Sequence, residues 1–234
     1  MKQTPYFFLL PSILILAFTS LYPICYSIYY SFFNWNWGNQ KDFVGLSNYI
    51  SLLTDKKFWI IIKNTFVFAF FACLIEIIIG LLLAIYIDRL KFGSTIIRTL
   101  LLIPLMVSGI SVTMLFKVIL DNMFGIIPYF LSFIGIKSNF FGSYDAAMPT
   151  IIGLDVWWQT SFVFIIILAG LQSIPSEPIE AAKMDGATEW EITRYIRLPM
   201  IRSLIFLVLI FRSIDTLKVF DIVWGTTGLG PSPY

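Results

Sequence analysis

The sequence contains no histidine among its 234 residues. This absence excludes Ser-His and Cys-His catalysis, the His-Glu-x-x-His metalloprotease motif and the usual zinc sites. The G-x-x-x-x-G-K-[ST] phosphate-binding loop is also absent, so the chain does not bind ATP through such a loop. We therefore predict no catalytic residue and no metal site.

Charge is also scarce. Only 13% of the residues are charged, 58% are hydrophobic, and the mean hydropathy is +0.85. Soluble domains have roughly 25% charged and about 45–50% apolar residues. This composition predicts an integral membrane protein. The net charge of +2 gives no reason to expect a nucleic-acid partner, and Cys25 and Cys73 lie in apolar runs where no structural disulfide is expected.

Long apolar runs determine the predicted fold. A helix needs about 20 residues to cross roughly 30 Å of hydrocarbon, and five runs are long enough. We predict an all-α, polytopic protein whose five transmembrane helices lie at residues 6–33, 66–87, 96–116, 147–171 and 200–224. The shorter stretch Ile126–Ile136 is predicted to be an interfacial or re-entrant helix, and Gly225–Pro233 a loop.

The distribution of arginine gives a weak prediction of orientation. The first apolar run is too long for a signal peptide, so we expect an uncleaved first helix. Lysine and arginine counted together show no bias between the two sides. Arginine alone is distributed unequally between the two sides of the membrane. If the N-terminus is cytoplasmic, the loop arginines all fall on the inner side, namely Arg89, Arg98, Arg194, Arg197 and Arg202.

A charged insert at residues 172–199 separates the fourth and fifth spans. Ser176-Glu177-Pro178 favours a helix start, and Gly186 can adopt the left-handed conformation that ends a helix. Thr188 and Glu191 fit a capping box that opens a second helix. The second helix is predicted to end near Arg197, because Leu198 precedes Pro199. By itself, this pattern is equally typical of an ordinary solvated helical hairpin.

Three pieces of this insert resemble a known motif. Glu180-Ala181-Ala182, Asp185-Gly186-Ala187 and Ile196-x-Leu198-Pro199 are similar to the EAA loop of binding-protein-dependent ABC importers. The resemblance implies that the insert is the coupling helix of a transmembrane permease subunit and docks on a separate ATPase. The residues to which it assigns docking are Glu180, Ala181, Ala182, Asp185, Gly186, Ala187, Leu198 and Pro199.

Other positions resemble the carbohydrate-type, maltose/glycerol-phosphate-like branch of these importers: Leu171–Pro175, Trp157, Asn64-Thr65, Arg98 and Pro104. The resemblance implies that the chain forms half of the translocation pore for a sugar or related polyol. The implied partners are ATPase subunits, a second homologous permease and an extracytoplasmic solute-binding protein. ATP and magnesium would be bound by the ATPase, with no cofactor on this chain. The family has six spans, one more than predicted here, and lies in the prokaryotic cytoplasmic membrane.

Charged and aromatic residues inside the predicted spans are candidates for the substrate path. In the fifth span Arg212, Asp215, Lys218 and Asp221 recur every three residues with alternating sign, so neighbours can pair along a helix. Either they form a self-neutralising ladder, or Asp215 and Lys218 line the path and bind sugar hydroxyls.

In the fourth span, Trp157 and Gln159 are further candidates for the path. The alternative for Trp157 is an anchor at the membrane interface.

Glu76 lies alone in the second span, and the sequence indicates no partner for it. Isolated carboxyl groups at bilayer depth commonly mark ion or proton pathways. A secondary transporter driven by ions, with Glu76 or Asp215 as the coupling group, is therefore an alternative function. Within the ABC importers, the alternative substrates are amino acids, peptides and ions.

Overall fold

The computed structural model describes residues 4–35, 41–90, 92–136 and 139–228. The chain divides into two compact units, Met1–Lys63 and Asn64–Tyr234. Helices dominate both units. The predicted all-α, polytopic fold is confirmed, with one two-residue strand pair as the exception among the described residues.

The first unit consists of apolar helices and a short antiparallel hairpin. Its elements are α1 (Thr4–Leu16), a π-helical turn (Ala17–Leu21), α2 (Tyr22–Tyr30), β1 (Phe33–Asn34), β2 (Asp42–Phe43) and α3 (Ser47–Thr54). The Asn48 amide donates hydrogen bonds to the carbonyl oxygens of Ser31 and Phe33. These bonds fix α3 to the start of the hairpin.

Helix α4 (Lys56–Asp88) is the longest element of the structure. The remaining elements are α5 (Ser94–Leu102), a 3₁₀ turn (Pro104–Met106), α6 (Gly109–Ile119), α7 (Ile126–Phe133), α8 (Tyr144–Gln172), α9 (Ser176–Met184), α10 (Glu189–Ile192), a π-helical turn (Thr193–Arg197), α11 (Leu198–Met200), α12 (Arg202–Leu217) and α13 (Asp221–Thr227).

Three helical stretches of the described residues are long and apolar enough to cross a membrane: Leu9–Tyr30, Lys56–Asp88 and Asp145–Gln172. A fourth candidate is the pair Ser94–Met106 and Gly109–Ile119, which is bent by 95°. The predicted third span, at residues 96–116, falls on this bent pair. The count of five spans stays a prediction.

The bend has a local cause in Pro104, which has no N–H to donate. Side chains of α8 bind the carbonyl groups on both sides of the bend. The Ser161 hydroxyl donates to the carbonyl oxygen of Leu101 at 2.5 Å, and the Trp158 indole donates to that of Val107 at 3.1 Å. Irregular backbone at membrane depth requires such partners, so α8 stabilises the break.

Helix α4 packs directly against α8, and Gly80 permits the close approach. A Cβ atom at Gly80 would lie 2.6 Å from Cγ1 of Val163. The buried cluster around this contact includes Ala84, Val163 and Phe164. Small residues at such contacts allow helix backbones to approach within a membrane.

The predicted fifth span, residues 200–224, is interrupted after Leu217 and resumes as α13. Helix α13 packs on α6, where the Thr113 hydroxyl donates to the carbonyl oxygen of Asp221 at 3.3 Å. The predicted loop at 225–233 is wrong for 225–227, which are helical. Gly225 faces Thr113 there, where an added Cβ would clash. Residues 229–233 lie outside the described residues.

We predict that Gly80→Leu destabilises the protein, because a large side chain cannot fit against Val163. Overpacking of this kind costs typically about 1–3 kcal/mol. The matched control is Gly153→Leu in α8, where an added Cβ meets nothing within 4 Å. Thermal aggregation in detergent should begin at a lower temperature for Gly80→Leu only. Equal curves for the two variants would contradict the packing argument.

Candidate functional site

The insert folds as two helices joined by a glycine turn, as predicted. Gly186 ends α9 with a φ of +82°. The Ala187 N–H donates to the carbonyl oxygen of Ala182 at 2.9 Å, and the Gly186 N–H donates to that of Lys183 at 3.1 Å. This bonding pattern is a Schellman motif, which depends on the left-handed residue. Glycine is favoured here because a side chain at this φ is strained.

The predicted capping box opens α10. The backbone N–H and the hydroxyl of Thr188 both donate to Oε2 of Glu191 at 2.7 Å, and the Glu191 N–H donates to Oγ1 of Thr188 at 3.3 Å. The hydrogen bond from the Thr188 backbone lowers the pKa of the Glu191 carboxyl, and that from its hydroxyl adds to this effect. The cap thus stays formed at neutral pH.

The predicted end of the second helix near Arg197 is wrong. The chain continues through the π-helical turn at Thr193–Arg197 and through Pro199 before it turns at Ile201. In a π-helical turn the N–H groups bond five residues back, as the Leu198 N–H does to Thr193. The wider turn lets the helix pass Pro199, whose missing N–H and ring would otherwise interrupt it.

Most of the residues assigned to docking lie on the surface of the helix-turn-helix. Those exposed are Glu180, Ala181, Asp185, Gly186 and Pro199. Ala182, Ala187 and Leu198 are half-buried. Next to them the side chain of Met184 is 88% exposed, so a large apolar group faces outward on this segment.

A cluster of opposite charges joins the two helices of the insert. Nζ of Lys183 lies 3.1 Å from Oε1 of Glu189, and Nη1 of Arg197 lies 3.4 Å from Oε2. The hydrogen bond from Lys183 lowers the pKa of the Glu189 carboxyl, and the charges of Lys183, Arg197 and Arg89 act in the same direction, against partial desolvation. The Glu189 carboxylate therefore stays ionised and paired at neutral pH.

Glu76 has a partner, contrary to expectation. The Arg212 guanidinium donates from Nε and Nη2 to the two carboxylate oxygens of Glu76 at 2.5 and 2.8 Å, and from Nη2 to Asp155 at 2.9 Å. All three side chains are buried, with exposures of 0 to 3%. The group joins α4, α8 and α12, so Glu76 belongs to a structural ion cluster.

The closest ion pairs of Arg212 differ from those of the ladder considered in the sequence analysis. In the predicted ladder it would pair along its own helix, whereas its close partners lie on α4 and α8. Oδ2 of Asp215 lies 3.9 Å from Nη1 of Arg212, and Oδ1 lies 3.7 Å from Nζ of Lys218. Both distances are close to the upper limit for an ion pair. Spacing of three residues identifies neighbours on one helix, and it contains no information about carboxylates on other helices.

A polar pocket of about 250 Å³ opens beside this cluster. Asp155 and Arg212 lie at its buried end, and the predicted path residues Gln159, Asp215 and Lys218 also line it.

Trp157 lies elsewhere. It packs edge-on against Phe116 and lines a different, largely apolar pocket. Trp158, the next residue, lines the polar pocket instead. The sequence does not predict which of the two tryptophans lines the polar pocket, because hydropathy does not define the rotation of a helix that is apolar all round.

Comparison with known proteins identifies relatives over nearly the whole chain. Residues 76–230 match the family described as binding-protein-dependent transport system inner membrane component. A probable ABC transporter permease protein of Sinorhizobium fredii is 33% identical over 232 residues, covering 98% of this chain and 75% of the relative. The trehalose/maltose transport system permease protein MalF of Thermococcus litoralis is 36% identical over 193 residues, covering 82% of this chain and 65% of the relative.

A solved structure is similar in fold. In the crystal structure of a bacterial alginate ABC transporter, in complex with an alginate pentasaccharide-bound periplasmic protein, one chain superposes with a TM-score of 0.82 at 26% identity. The match covers 96% of this chain and 76% of that chain.

The apolar helices and the family match together define a membrane-embedded transport subunit rather than an enzyme. The chain belongs to the inner-membrane components of binding-protein-dependent transport systems. The predicted membership among ABC importer permeases of the carbohydrate type is confirmed by this match and by the similarity to MalF.

We predict that Arg212→Gln strongly destabilises the helix bundle, because Glu76 and Asp155 are left buried without a counter-charge. Removal of one partner from a buried ion pair costs about 3–5 kcal/mol. The control is Lys218→Gln, whose side chain is exposed. The yield of monodisperse protein and its thermal stability in detergent should fall for Arg212→Gln alone. Replacing Glu76, Asp155 and Arg212 together by Met, Leu and Met should restore both, and equal stability of the two single variants would refute the prediction.

Proposed function

We propose that this chain forms half of the translocation pore of an ATP-driven importer for a sugar or related polyol. The observation that carries the proposal is the exposed helix-turn-helix between α8 and α12, which has a left-handed Gly186 and an outward-facing Glu180. It lies within the part of the chain that matches the family. In this proposal the exposed segment is the docking site for a partner protein.

The partner of this segment is a separate ATPase subunit. Glu180 and Ala181 on α9 and Asp185 directly after it supply charge and small side chains at the surface, so a cleft can enclose the helix closely. The proposed assembly has two ATPase subunits, a second homologous permease and an extracytoplasmic solute-binding protein. ATP and magnesium are bound by the ATPase, and this chain itself carries no cofactor. ATP-dependent closure of the ATPase dimer moves the docking segments together.

The energy needed for this coupling sets a condition on docking. A near-complete switch between two pore conformations needs about 5.5 kcal/mol of differential affinity. Two docking segments that share the closure of one ATPase dimer can supply this amount. The segment drives transport only if it binds the closed and open ATPase differently.

The proposed location is the prokaryotic cytoplasmic membrane, with a cytoplasmic N-terminus. Docking requires the insert to lie in the cytoplasm, and the four spans predicted before it would then put the N-terminus on the same side. The arginines at 89, 98, 194, 197 and 202 fall on that side in this arrangement, whereas lysine and arginine counted together show no bias between the two sides.

Sugar is the proposed substrate class for two reasons. The MalF relative is named for trehalose and maltose transport, and the similar solved transporter was crystallised with a periplasmic protein bound to an alginate pentasaccharide. The pocket beside Arg212 also has polar side chains suited to hydroxyl groups, namely Gln159, Asp215 and Lys218, next to the aromatic Trp158. Aromatic faces and charged hydrogen-bonding groups together are suited to sugar rings.

We predict that Gly186→Pro abolishes coupling without preventing membrane insertion. Proline cannot adopt a φ of +82° and cannot donate the Gly186 hydrogen bond to Lys183. The matched control is Gly135→Pro, which breaks the same kind of turn after α7, where Gly135 has a φ of +76° and donates to Ser132.

The measurement is ATP-driven uptake into proteoliposomes, together with co-purification of the ATPase. Gly186→Pro should lose transport, and Glu180→Lys should lose the ATPase because it reverses a charge on the docking face. Gly135→Pro should retain both. Transport that persists in Gly186→Pro would rule out the insert as the coupling segment.

We predict that Asp215→Asn and Lys218→Gln raise the solute concentration needed for half-maximal uptake while the complex stays assembled. A lost hydrogen bond to a charged group is worth about 1.5–3 kcal/mol, or roughly tenfold or more in affinity. Lys117→Gln is the control, since this exposed residue lies outside the pocket lining. Unchanged uptake in both pocket variants would show that these residues only pair with their neighbours.

A further inference from the structure

Arg89 lies directly after the last residue of α4 and contacts the second helix of the insert. Its Nη2 donates to the carbonyl oxygen of Glu189 at 3.2 Å and to Oγ1 of Thr193 at 2.6 Å. Thr193 is 1% exposed, and its hydroxyl donates in turn to the same Glu189 carbonyl at 2.8 Å. One guanidinium group therefore binds both ends of a single helical turn.

The contact joins the insert to α4 through two kinds of interaction. The Glu189 carboxylate, 3.9 Å from Nε of Arg89, also pairs with Lys183 of α9 and with Arg197. Beside this charged cluster Leu198 packs against the buried cluster that contains Ile87, in the last turn of α4. The residue that follows α4 is thus held to α10 by charge and hydrogen bonds, α9 joins the same cluster through Lys183 and Glu189, and Leu198 adds apolar contact.

Helix α4 continues from this contact to the buried ion cluster. Glu76 lies twelve residues before the end of the helix at Asp88, or about 18 Å along a continuous α-helix. At Glu76 the helix is bound through Arg212 to α12 and, through the same guanidinium, to Asp155 of α8. A movement of the insert transmitted to α4 would therefore reach the contacts beside the polar pocket.

We propose that Arg89 is a positioning residue that fastens α4 to the coupling segment, so that movement of the segment is transmitted along α4 to the pore. The proposal rests on the proposed function of the insert as the ATPase-docking segment. It adds that the route of transmission begins at the turn between Glu189 and Thr193. In this proposal Arg89 acts through the coupling segment and not through a contact of its own with the ATPase or the solute.

The test uses the complete transporter reconstituted in proteoliposomes, with ATP hydrolysis and solute uptake measured in the same preparation. Arg89→Gln removes the charge and the forked donor. Thr193→Val removes the buried acceptor and leaves Arg89 in place. Arg89→Lys keeps the charge but not the two-acceptor geometry. The control is Arg194→Gln, an exposed arginine one residue after Thr193 that stacks on Tyr195.

We expect the solute transported per ATP hydrolysed to fall by about five- to tenfold in Arg89→Gln and Thr193→Val. Arg89→Lys should lose less, and Arg194→Gln should equal the wild type. The amount of co-purified ATPase and the hydrolysis rate without solute should stay unchanged in all four. A role limited to folding would not produce this uncoupling.

An unchanged transport-to-ATP ratio in both Arg89→Gln and Thr193→Val would overturn the proposal, as would an equal loss in Arg194→Gln. If Arg89→Gln does not assemble, Thr193→Val decides by the same criterion. Failure of the wild-type chain to co-purify an ATPase would instead overturn the proposed function, and this inference with it.

Discussion

The burial of two carboxylates and one guanidinium within a membrane bundle is the constraint on which the second unit depends. Each charge taken out of water costs several kcal/mol, and only close geometry with hydrogen bonds offsets this cost. Arg212 meets this condition because its Nε and Nη2 both donate to Glu76, and Nη2 also donates to Asp155. Because the three groups come from α4, α8 and α12, these helices must keep one register relative to one another.

The same constraint places the polar pocket. Asp155 and Arg212 form its inner end, and α12 ends a few residues later, so the exposed Asp215 and Lys218 lie at its rim. Helix α8 also holds the bend around Pro104 through Ser161 and Trp158. One long helix thus serves the ion cluster, the broken segment and the pocket, which explains why its inner face carries polar side chains among apolar ones.

A connected set of helices joins the insert to the pocket. The insert is held by α4 at Arg89, and α4 is held by α12 at Glu76. Both contacts use arginine, whose planar guanidinium binds two acceptors in a fixed geometry. The proposed importer mechanism needs a connection of this kind between the ATPase and the solute.

The sequence by itself determined the membrane location, the all-α fold, the family and the local form of the insert. The membrane location and the fold follow from composition, and the form of the insert follows from patterns within a few residues, such as the Thr188–Glu191 cap and the turn at Gly186. The family follows from the resemblance of the insert to a known motif. Tertiary structure alone decided the partners of Glu76 and the choice of Trp158 over Trp157 for the pocket. Each of these depends on which faces of distant helices meet. A helix that is apolar all round has no hydrophobic periodicity from which its rotation about its own axis could be predicted.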